Sequence, residues 1–398
     1  MLVNRQRATA VMEREGLDAL VATTPEHVLY LSDFETRLPF YTGTGAAAIL
    51  PRDPDRPAVL VVAVAYLGHV ASEPSWMPEL RAFGALGVLD RSTGPLEEPE
   101  LGTMALLGRH EADAAPTQAQ AIADALEIAG VASGTIGVDR VPGAAEAVAS
   151  GANWIDAREA FRATRLIKSE EEIARLRRAA TVNEEAFEAA EQAVRIGGSW
   201  QDVLTAWRVR WAELGGTPSF WGSGAGPLGS QLFAERTPYT LRRGDLIRWE
   251  GGGTWRGYWA DTGRSSVVGG ATAEQQRAQA ALIAGSDRAS ELLGPGMRGA
   301  DVCAPVLAAI REAGLDDFAT GNVWGHGVGL ELNESPRFRA TTDDMLEPGM
   351  VIAFETPYFA VGWGGLQVED TFLITEDGAE RLTDTSRGLR VLDSEGTR

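Results

Sequence analysis

Acidic residues stand inside otherwise apolar strand patterns in the second half of this 398-residue chain, and they constrain its fold more than any other feature. Glu355 closes the run GMVIAFE, and Glu369 lies near the start of VEDTFLIT. Burying an unpaired carboxylate is very costly, so a sheet containing both strands must compensate these charges. Because alternate residues share a face, Glu355 is predicted to point the same way as Ala353, and Glu369 the same way as Thr371.

A predicted hairpin supplies two further carboxylates. DLIRWE and WADTGRSS flank GGGTWRGY, which is typical of a turn with residues 254–257 at its tip. If the hairpin is symmetric about 255/256, Glu250 and Asp261 lie directly opposite each other on one face.

His326 lies in the segment WGHGVGLELNESP, between glycines. Glycine in a strand marks a close approach to the backbone, and here it predicts that a substrate comes close. Taken singly, each polar residue also has a structural explanation. Glu369 could end a strand at the surface, Glu250 could flank an exposed turn, and His326 could be a hydrogen-bonded core histidine.

Charge and composition exclude several classes of partner. The formal net charge of −20 argues against nucleic acid and against an anionic membrane surface. The longest apolar run, at 58–67, is about half the length of a membrane helix, and the first residues hold no apolar signal core. The single cysteine, Cys303, fits a reducing compartment. A cytoplasmic protein with no membrane partner is therefore predicted.

The chain divides near residue 160. Residues 1–160 alternate helices with short apolar strands, which predicts a layered α/β domain; the strand candidates are 17–23, 58–65, 103–108 and 135–139, with helices at 4–15 and 118–130. Residues 161–398 begin with a long helix whose start is marked by the capping box Ser169–Glu172 and whose end is marked by Gly197–Gly198. Further helices are predicted at 200–214, 272–293 and 300–313.

Several segments, in order, resemble the pita-bread family of prolidase, aminopeptidase P, methionine aminopeptidase and creatinase. The resemblance is carried by LIKSEEEIARLRRAA, RRGDLIRWEGGGTWRGYWADTGRSSVVG, GHGVGL, LEPGMVIAFETP and GGLQVEDTFLITEDGAERLT. EGLDALVATTPEHVLYLSDF resembles the creatinase-type N-terminal domain. The resemblance implies an α+β protein in which a C-terminal pita-bread domain, 161–398, follows a smaller creatinase-type α/β domain, 1–160.

The resemblance also implies a metal site. The family's five ligands fall on Glu250, Asp261, His326, Glu355 and Glu369, and they would hold one or two divalent cations. Oxygen-rich ligation with one imidazole suits Mn²⁺, Co²⁺, Fe²⁺ or Zn²⁺. The residues predicted to be catalytic are Glu355, His326 and Glu250, with Glu355 moving the proton of the attacking water to the leaving group.

Three positions depart from the family's peptidases. Glu250 replaces an aspartate, which predicts that one of two metals is weak or missing. Asn333 and Phe233 stand where the peptidases carry helper histidines, and His326 is the only histidine within 161–398. Asparagine cannot shuttle protons near neutral pH. An ordinary Xaa-Pro peptidase is therefore not expected.

Specificity is assigned to Asn333, Phe233 and Trp324, and to a loop that holds Arg37, Phe40 and Tyr41. In creatinase-type homodimers a loop of this region reaches the partner's site, and an arginine beside aromatic residues could hold a substrate carboxylate there. The resemblance therefore implies a homodimer that acts on a small molecule. An ordinary surface loop is the alternative.

The leading hypothesis is a metal-dependent hydrolase that cleaves a C–N bond in a small amide, amidine or guanidino-like compound. An Xaa-Pro dipeptidase with altered helper residues is the first alternative. A lyase acting on a small onium substrate and a non-catalytic binding module are the others. A creatinase-like site without metal, in which the carboxylates hold a cationic substrate, also stays open.

Overall fold

A computed structural model describes residues 1–36, 45–88, 91–140, 151–339 and 341–392. Contacts within the chain separate two compact units, Met1–Arg165 and Leu166–Arg398. Within the described ranges, no helix combines the length and apolar character that a membrane span requires.

The N-terminal unit is built on a six-stranded mixed sheet in the order β4-β3-β2-β1-β5-β6. Its strands are β1 (Ala19–Ala22), β2 (Ala47–Pro51), β3 (Val59–Ala63), β4 (Glu79–Phe83), β5 (Thr135–Val138) and β6 (Asn153–Asp156). Its helices are α1 (Arg5–Glu15), α2 (Pro25–Ser32), α3 (Leu67–Ser72), α4 (Glu98–His110), α5 (Gln118–Ile128) and α6 (Arg158–Arg165). The predicted layered α/β arrangement is confirmed.

One predicted strand of this unit is wrong. Residues 103–108 lie inside helix α4, because a capping box between Glu97 and Glu100 starts the helix and Pro99 sits in its first turn. A short apolar run does not distinguish a strand from a helix segment, and the capping signals upstream decide the outcome.

A buried polar network follows strand β5. The carboxylate of Asp139 accepts hydrogen bonds from the backbone N–H groups of Thr23 and Thr24 and from both of their hydroxyls, at 2.8–3.0 Å. His27 Nδ1 lies 3.0 Å from Oδ2 of the same carboxylate, and its ring stacks on Phe161. Both oxygens of Asp139 are therefore fully used within this unit.

The C-terminal unit is built on an antiparallel sheet whose main path is β10-β9-β11-β17-β14-β12-β13. These strands are β9 (Leu246–Trp255), β10 (Tyr258–Trp259), β11 (Thr262–Val268), β12 (Trp324–Gly327), β13 (Glu334–Arg337), β14 (Val351–Glu355) and β17 (Glu369–Ile374). The remaining strands are β7 (Thr217–Trp221), β8 (Gly224–Ala225), β15 (Tyr358–Ala360), β16 (Gly364–Leu366), β18 (Ala379–Arg381) and β19 (Arg390–Leu392). The predicted α+β class is confirmed.

The α-helices within the described residues of this unit are α7 (Glu170–Gln192), α8 (Trp200–Glu213), α9 (Ala273–Leu292) and α10 (Gly299–Glu312). Ser169 and Glu172 form both hydrogen bonds of the predicted capping box. Helix α7 stops at Gln192, before the predicted Gly197–Gly198. Even-numbered residues of β14 and β17, such as Ile352 and Phe372, pack in the core with α9 and α10. The odd-numbered residues of these strands therefore occupy the opposite face.

A two-residue turn sets the register of the β9–β11 hairpin. Arg256 and Gly257 both have positive φ, 47° and 83°, and Trp255 pairs with Tyr258. Glu250 consequently pairs with Gly263, so the predicted direct opposition of Glu250 and Asp261 is wrong. The register differs from the predicted one by two residues, and a shift of two keeps both carboxylates on the same face.

Candidate metal centre and cavity

Two adjacent rows of side chains cross one face of the C-terminal sheet. Cross-strand pairing builds the first row from Glu250, Gly263, Glu369, Glu355 and Trp324. The second row holds Asp261, Thr371, Ala353, His326 and Arg337. The structure therefore brings all five predicted ligands together on the face opposite the helices. Four of them come from four different strands, and Asp261 lies directly before β11.

The five side chains form two overlapping groups of metal-ligating atoms. Asp261, His326 and Glu369 offer ligand atoms that lie within 4.8 Å of one another, and so do Glu250, Glu355 and Glu369. All five side chains are buried. Group one is the set of Asp261, His326 and Glu369, and group two is the set of Glu250, Glu355 and Glu369. Glu369 belongs to both groups.

Group one has the features of a cation site. Asp261 Oδ1 and Glu369 Oε1 are buried and have no hydrogen-bond partner among the described residues. Buried polar atoms are normally hydrogen-bonded, so these two oxygens call for a ligand. His326 Nδ1 lies 3.1 Å from the carbonyl oxygen of Gly327, which can only accept, so Nδ1 carries the proton. Nε2 is then the unprotonated nitrogen, 3.5 Å from Asp261 Oδ2, as metal ligation requires. These residues fit a divalent cation.

The electrostatics of the cluster favour a cation as well. Burial raises the pKa of Glu250 to about 7, against the lowering effect of the Arg248 charge. Burial and the charge of Glu250 raise the pKa values of Asp261 and Glu355 well above their ordinary range. Burial lowers the pKa of His326, which keeps the imidazole neutral. Four carboxylates and a neutral imidazole form a site that a positive ion would stabilise.

Glycines at this site make room for protein rather than for a substrate. A Cβ atom on Gly327 would lie 2.1 Å from the carbonyl oxygen of Ser335, in strand β13. The predicted close approach to the backbone is therefore confirmed at Gly327, where a neighbouring strand makes the approach. A Cβ on Gly222 would lie 2.5 Å from Cγ of Glu250, so the missing side chain accommodates the extra methylene of this glutamate.

A cavity of about 590 Å³ opens onto the two rows. Four of the five predicted ligands line it, whereas Glu369 lies fully buried behind them. The predicted specificity residues Asn333, Phe233 and Trp324 also line the cavity. Phe233 is 69% exposed and has a φ of 59°. The predicted loop residues Arg37, Phe40 and Tyr41 lie outside the described residues.

Three polar residues of the site were missed in the sequence. Arg248 precedes Glu250 by two positions, and Gln367 precedes Glu369 by two positions, so strand periodicity places both on the ligand face. Arg337 pairs with His326 across β12 and β13 and lines the cavity. The period-2 pattern could have identified Arg248 and Gln367, whereas Arg337 depends on a non-local strand pairing.

Comparison with known proteins agrees with this geometry. Residues 174–376 match the model of Metallopeptidase family M24, and residues 4–178 match the Creatinase/Prolidase N-terminal domain. The Xaa-Pro dipeptidase of Pyrococcus furiosus is 31% identical over 230 residues, which are 56% of this chain and 65% of that protein. The chain is thus aligned with slightly less than two thirds of this relative's length.

Solved structures share the fold over nearly the whole chain. The prolidase of Pyrococcus horikoshii superposes with a TM-score of 0.73 at 22% identity, covering 97% of this chain and 99% of that one. The Xaa-Pro dipeptidase of Bacillus anthracis gives a TM-score of 0.75 at 21% identity, covering 98% and 99%. At these identities the likeness concerns the fold alone, and it confirms the predicted pita-bread domain that follows a creatinase-type N-terminal domain.

Proposed function

This chain belongs to metallopeptidase family M24, and from that premise we propose that it is a metal-dependent hydrolase of a C–N bond in a small amide. The observation that carries the proposal is the cavity above the two side-chain rows, where group one offers two buried carboxylate oxygens without partners. Residues 161–398 form the proposed catalytic domain, and residues 1–160 the smaller N-terminal domain.

The proposed metal ligands are Asp261, His326 and Glu369, with Glu250 and Glu355 beside them. A divalent cation held there would polarise a substrate carbonyl and lower the pKa of a water molecule; its identity among Mn²⁺, Co²⁺, Fe²⁺ and Zn²⁺ is open. The buried carboxylates orient the reacting groups, and the apolar wall of the cavity limits competing water.

Glu355 is the proposed general base and acid. It lines the cavity, and burial and the charge of Glu250 raise its pKa, as suits a carboxylate that takes and returns a proton. In the hydrolysis the water oxygen bonds to the carbonyl carbon and the C–N bond breaks. Glu355 accepts the proton of the water and gives it to the leaving nitrogen. His326, with its low pKa, serves as a ligand, and Glu250 supports the position of the carboxylate cluster.

Arg337 defines the proposed substrate class. Its side chain lines the cavity, and among the described residues no carboxylate pairs with its guanidinium, which donates only to the carbonyl of Asn333, at 3.3 Å. A half-buried guanidinium with free donors favours a substrate carboxylate. Phe220, Phe233 and Phe359 supply an apolar wall. We therefore propose a small amide with a free carboxylate and an apolar group, a class that includes Xaa-Pro dipeptides and N-acyl amino acids.

A substrate panel tests this function. The purified protein, loaded with Mn²⁺ or Co²⁺, is assayed with Xaa-Pro dipeptides, other dipeptides, N-acyl amino acids and cyclic amidines. Each carboxylate substrate is paired with its C-terminal amide. Turnover of one carboxylate substrate is expected, with KM about 10- to 100-fold higher for Arg337→Gln and for the amidated substrate. The amidated substrate should no longer distinguish Arg337→Gln from the wild type. Preference for amidines would contradict the proposed class.

Two further measurements separate the other reaction classes. Hydrolysis in ¹⁸O-labelled water incorporates the label into the product acid, whereas a lyase releases an alkene without label. A binding module would hold ligands without turnover by any loaded form. The proposed hydrolase is overturned by either of these outcomes.

The assembly and location of the enzyme are also proposals. Family resemblance supports a homodimer in which the loop near Arg37, Phe40 and Tyr41 completes the partner's site. The lone free cysteine, Cys303, supports a reducing cytosol. Size-exclusion chromatography with light scattering tests the dimer.

A further inference from the structure

Gln367 stands in a third row of side chains beside the ligands. Arg248 pairs with Ser265, and the Ser265 hydroxyl exchanges hydrogen bonds with the backbone of Gln367 at 2.8 and 3.0 Å. This row lies next to the one that contains Glu250, Gly263 and Glu369. A Cβ atom on Gly263 would lie 2.5 Å from Cγ of Gln367. The glutamine side chain therefore fills the space that Gly263 leaves between the two glutamates.

The amide nitrogen of Gln367 occupies group two. Nε2, which carries two N–H groups, lies within hydrogen-bond distance of Glu250, of Glu355 Oε2 at 3.0 Å and of Glu369 Oε2 at 3.2 Å. These are the three carboxylates whose oxygens make up group two. A nitrogen that contacts all three carboxylates stands where a cation ligated by them would stand. Gln367 is fully buried, and it lines the cavity together with Glu250 and Glu355.

Arg248 holds the amide in this orientation. Its Nη1 donates to Gln367 Oε1 at 2.9 Å, and a guanidinium can only donate, so the oxygen must face Arg248 and the nitrogen the carboxylates. Arg248 is itself fully buried and donates to three carbonyl oxygens, those of Gly222, Gly229 and Gln231. Its guanidinium lies 4.8 Å from the centre of the Phe359 ring. These hydrogen bonds and the ring contact fix Arg248, and Arg248 in turn fixes the Gln367 amide.

The positive charge of Arg248 also disfavours a cation in group two. A buried positive charge next to group two repels a second dication more strongly than it would in water. Group one differs, because Asp261 Oδ1 and Glu369 Oε1 have no hydrogen-bond partner in the part of the chain that the structure describes. Group two thus receives hydrogen-bond donors from the protein, whereas group one holds two acceptor oxygens that no described residue donates to.

We infer that this protein binds one divalent cation, in group one, and that the Gln367 amide with Arg248 behind it replaces a second cation in group two. The inference rests on the metal dependence of the proposed function. It names two residues that set metal stoichiometry without being ligands.

The experiment counts bound manganese. Wild-type protein and Gln367→Ala are stripped with chelator, reloaded with Mn²⁺, desalted and analysed by elemental analysis and electron paramagnetic resonance. Wild type is expected to hold about one equivalent with the six-line spectrum of an isolated ion. Gln367→Ala is expected to gain a second equivalent and the spectrum of a spin-coupled pair, since metals in two-metal sites lie about 3.5–4 Å apart. Gln279→Ala, which also removes a buried glutamine of this unit, should remain at one equivalent.

The outcomes separate the inference from the proposed function. Two coupled ions in wild type would overturn the inference and leave the hydrolase standing. No metal in any variant would overturn both. One ion in wild type with no turnover on any substrate would support the inference and contradict the hydrolase. If Gln367→Ala is misfolded by circular dichroism, Gln367→Glu, of the same shape, replaces it, and failure of a folded variant to gain a second ion would overturn the inference.

Discussion

Each unit of this protein buries a histidine beside an aspartate, and the two pairs are in opposite states. In the N-terminal unit, Asp139 receives donors from Thr23, Thr24 and His27. In the C-terminal unit, His326 Nε2 is 3.5 Å from Asp261 Oδ2, and Asp261 Oδ1 has no hydrogen-bond partner. The two pairs contain the same residue types, but they differ in the hydrogen-bond donors that surround the aspartate.

The pKa values follow that difference. Burial acts to raise the pKa of Asp139, but the hydrogen bond and charge of His27 and the N–H groups of Thr24 and Thr23 lower it below its ordinary value. Burial and the neighbouring charges of Glu250 and Glu355 raise the pKa of Asp261. A buried carboxylate surrounded by donors stabilises the fold, whereas one left without donors is available to bind a cation.

The largest expected effect compares the stabilities of two matched variants. Asp139→Asn should lower the free energy of unfolding by about 3–5 kcal/mol, because it breaks a buried charged network. Asp261→Asn should leave the metal-free protein as stable as wild type or more stable. Guanidinium unfolding of metal-free protein, followed by circular dichroism, measures both. Equal losses in the two variants would contradict the comparison.

Metal affinity should reverse the ranking of the same two variants. Asp261→Asn removes a proposed ligand, and we expect Mn²⁺ to bind more than about 100-fold more weakly, beyond the loss typical of outer-shell changes. Asp139→Asn should bind Mn²⁺ as wild type does, provided that it is folded. Calorimetric titration gives the two constants, and unchanged binding by Asp261→Asn would exclude it as a ligand.

Glu172 is an intermediate case, because its carboxylate receives one backbone N–H and the Tyr258 hydroxyl. Burial raises its pKa from 4.5 to about 7, against the opposing charge of Lys168. Between these values the folded state holds a proton that the unfolded state has lost. Stability from Glu172 is therefore complete below pH 4.5 and falls as the pH rises to about 7, by about 3 kcal/mol.

For Asp139 we expect the opposite dependence of stability on pH, because its lowered pKa contributes stability above the ordinary value of 3.8 that is lost as the pH falls.

To test the prediction for Glu172, metal-free wild type and Glu172→Gln are unfolded in guanidinium at several pH values. The difference between them should decrease from pH 4.5 to 7. A pH-independent difference would show that Glu172 ionises alike in both states.

The smallest effect concerns one donor of the Asp139 network. The Thr24 hydroxyl donates to Asp139 Oδ2 at 2.9 Å, and Thr24→Val keeps the shape and removes the donor. A loss of about 1.5 kcal/mol is expected, since the acceptor is charged and buried. Thr262→Val is the matched control, because its buried hydroxyl has no hydrogen-bond partner and its removal should cost nothing. Equal losses would show that the donor count does not determine stability.

Strand periodicity alone predicts much of the site. Periodicity predicts that Glu355 shares a face with Ala353 and Glu369 with Thr371, and the direct pairing of Glu355 with Glu369 across the two strands then puts both glutamates on the same face. The register of the hairpin was not predictable from symmetry, because Arg256 adopts a positive φ that few residues other than glycine take. The contact of Gln367 with three carboxylates depends on the pairing of β9, β11 and β17, which no local pattern encodes.

The Arg256–Gly257 turn limits which insertions and deletions this hairpin can accept during evolution. Side chains alternate with a period of two along the hairpin, so inserting or deleting one residue at the turn would rotate either Glu250 or Asp261 into the helix-packed core. Length changes of two residues, or one residue taken up by a bulge, preserve the face. Viable variants of this hairpin should therefore differ in loop length by even numbers unless a bulge takes up the odd residue, and sequencing the functional members of a library of turn insertions would test this.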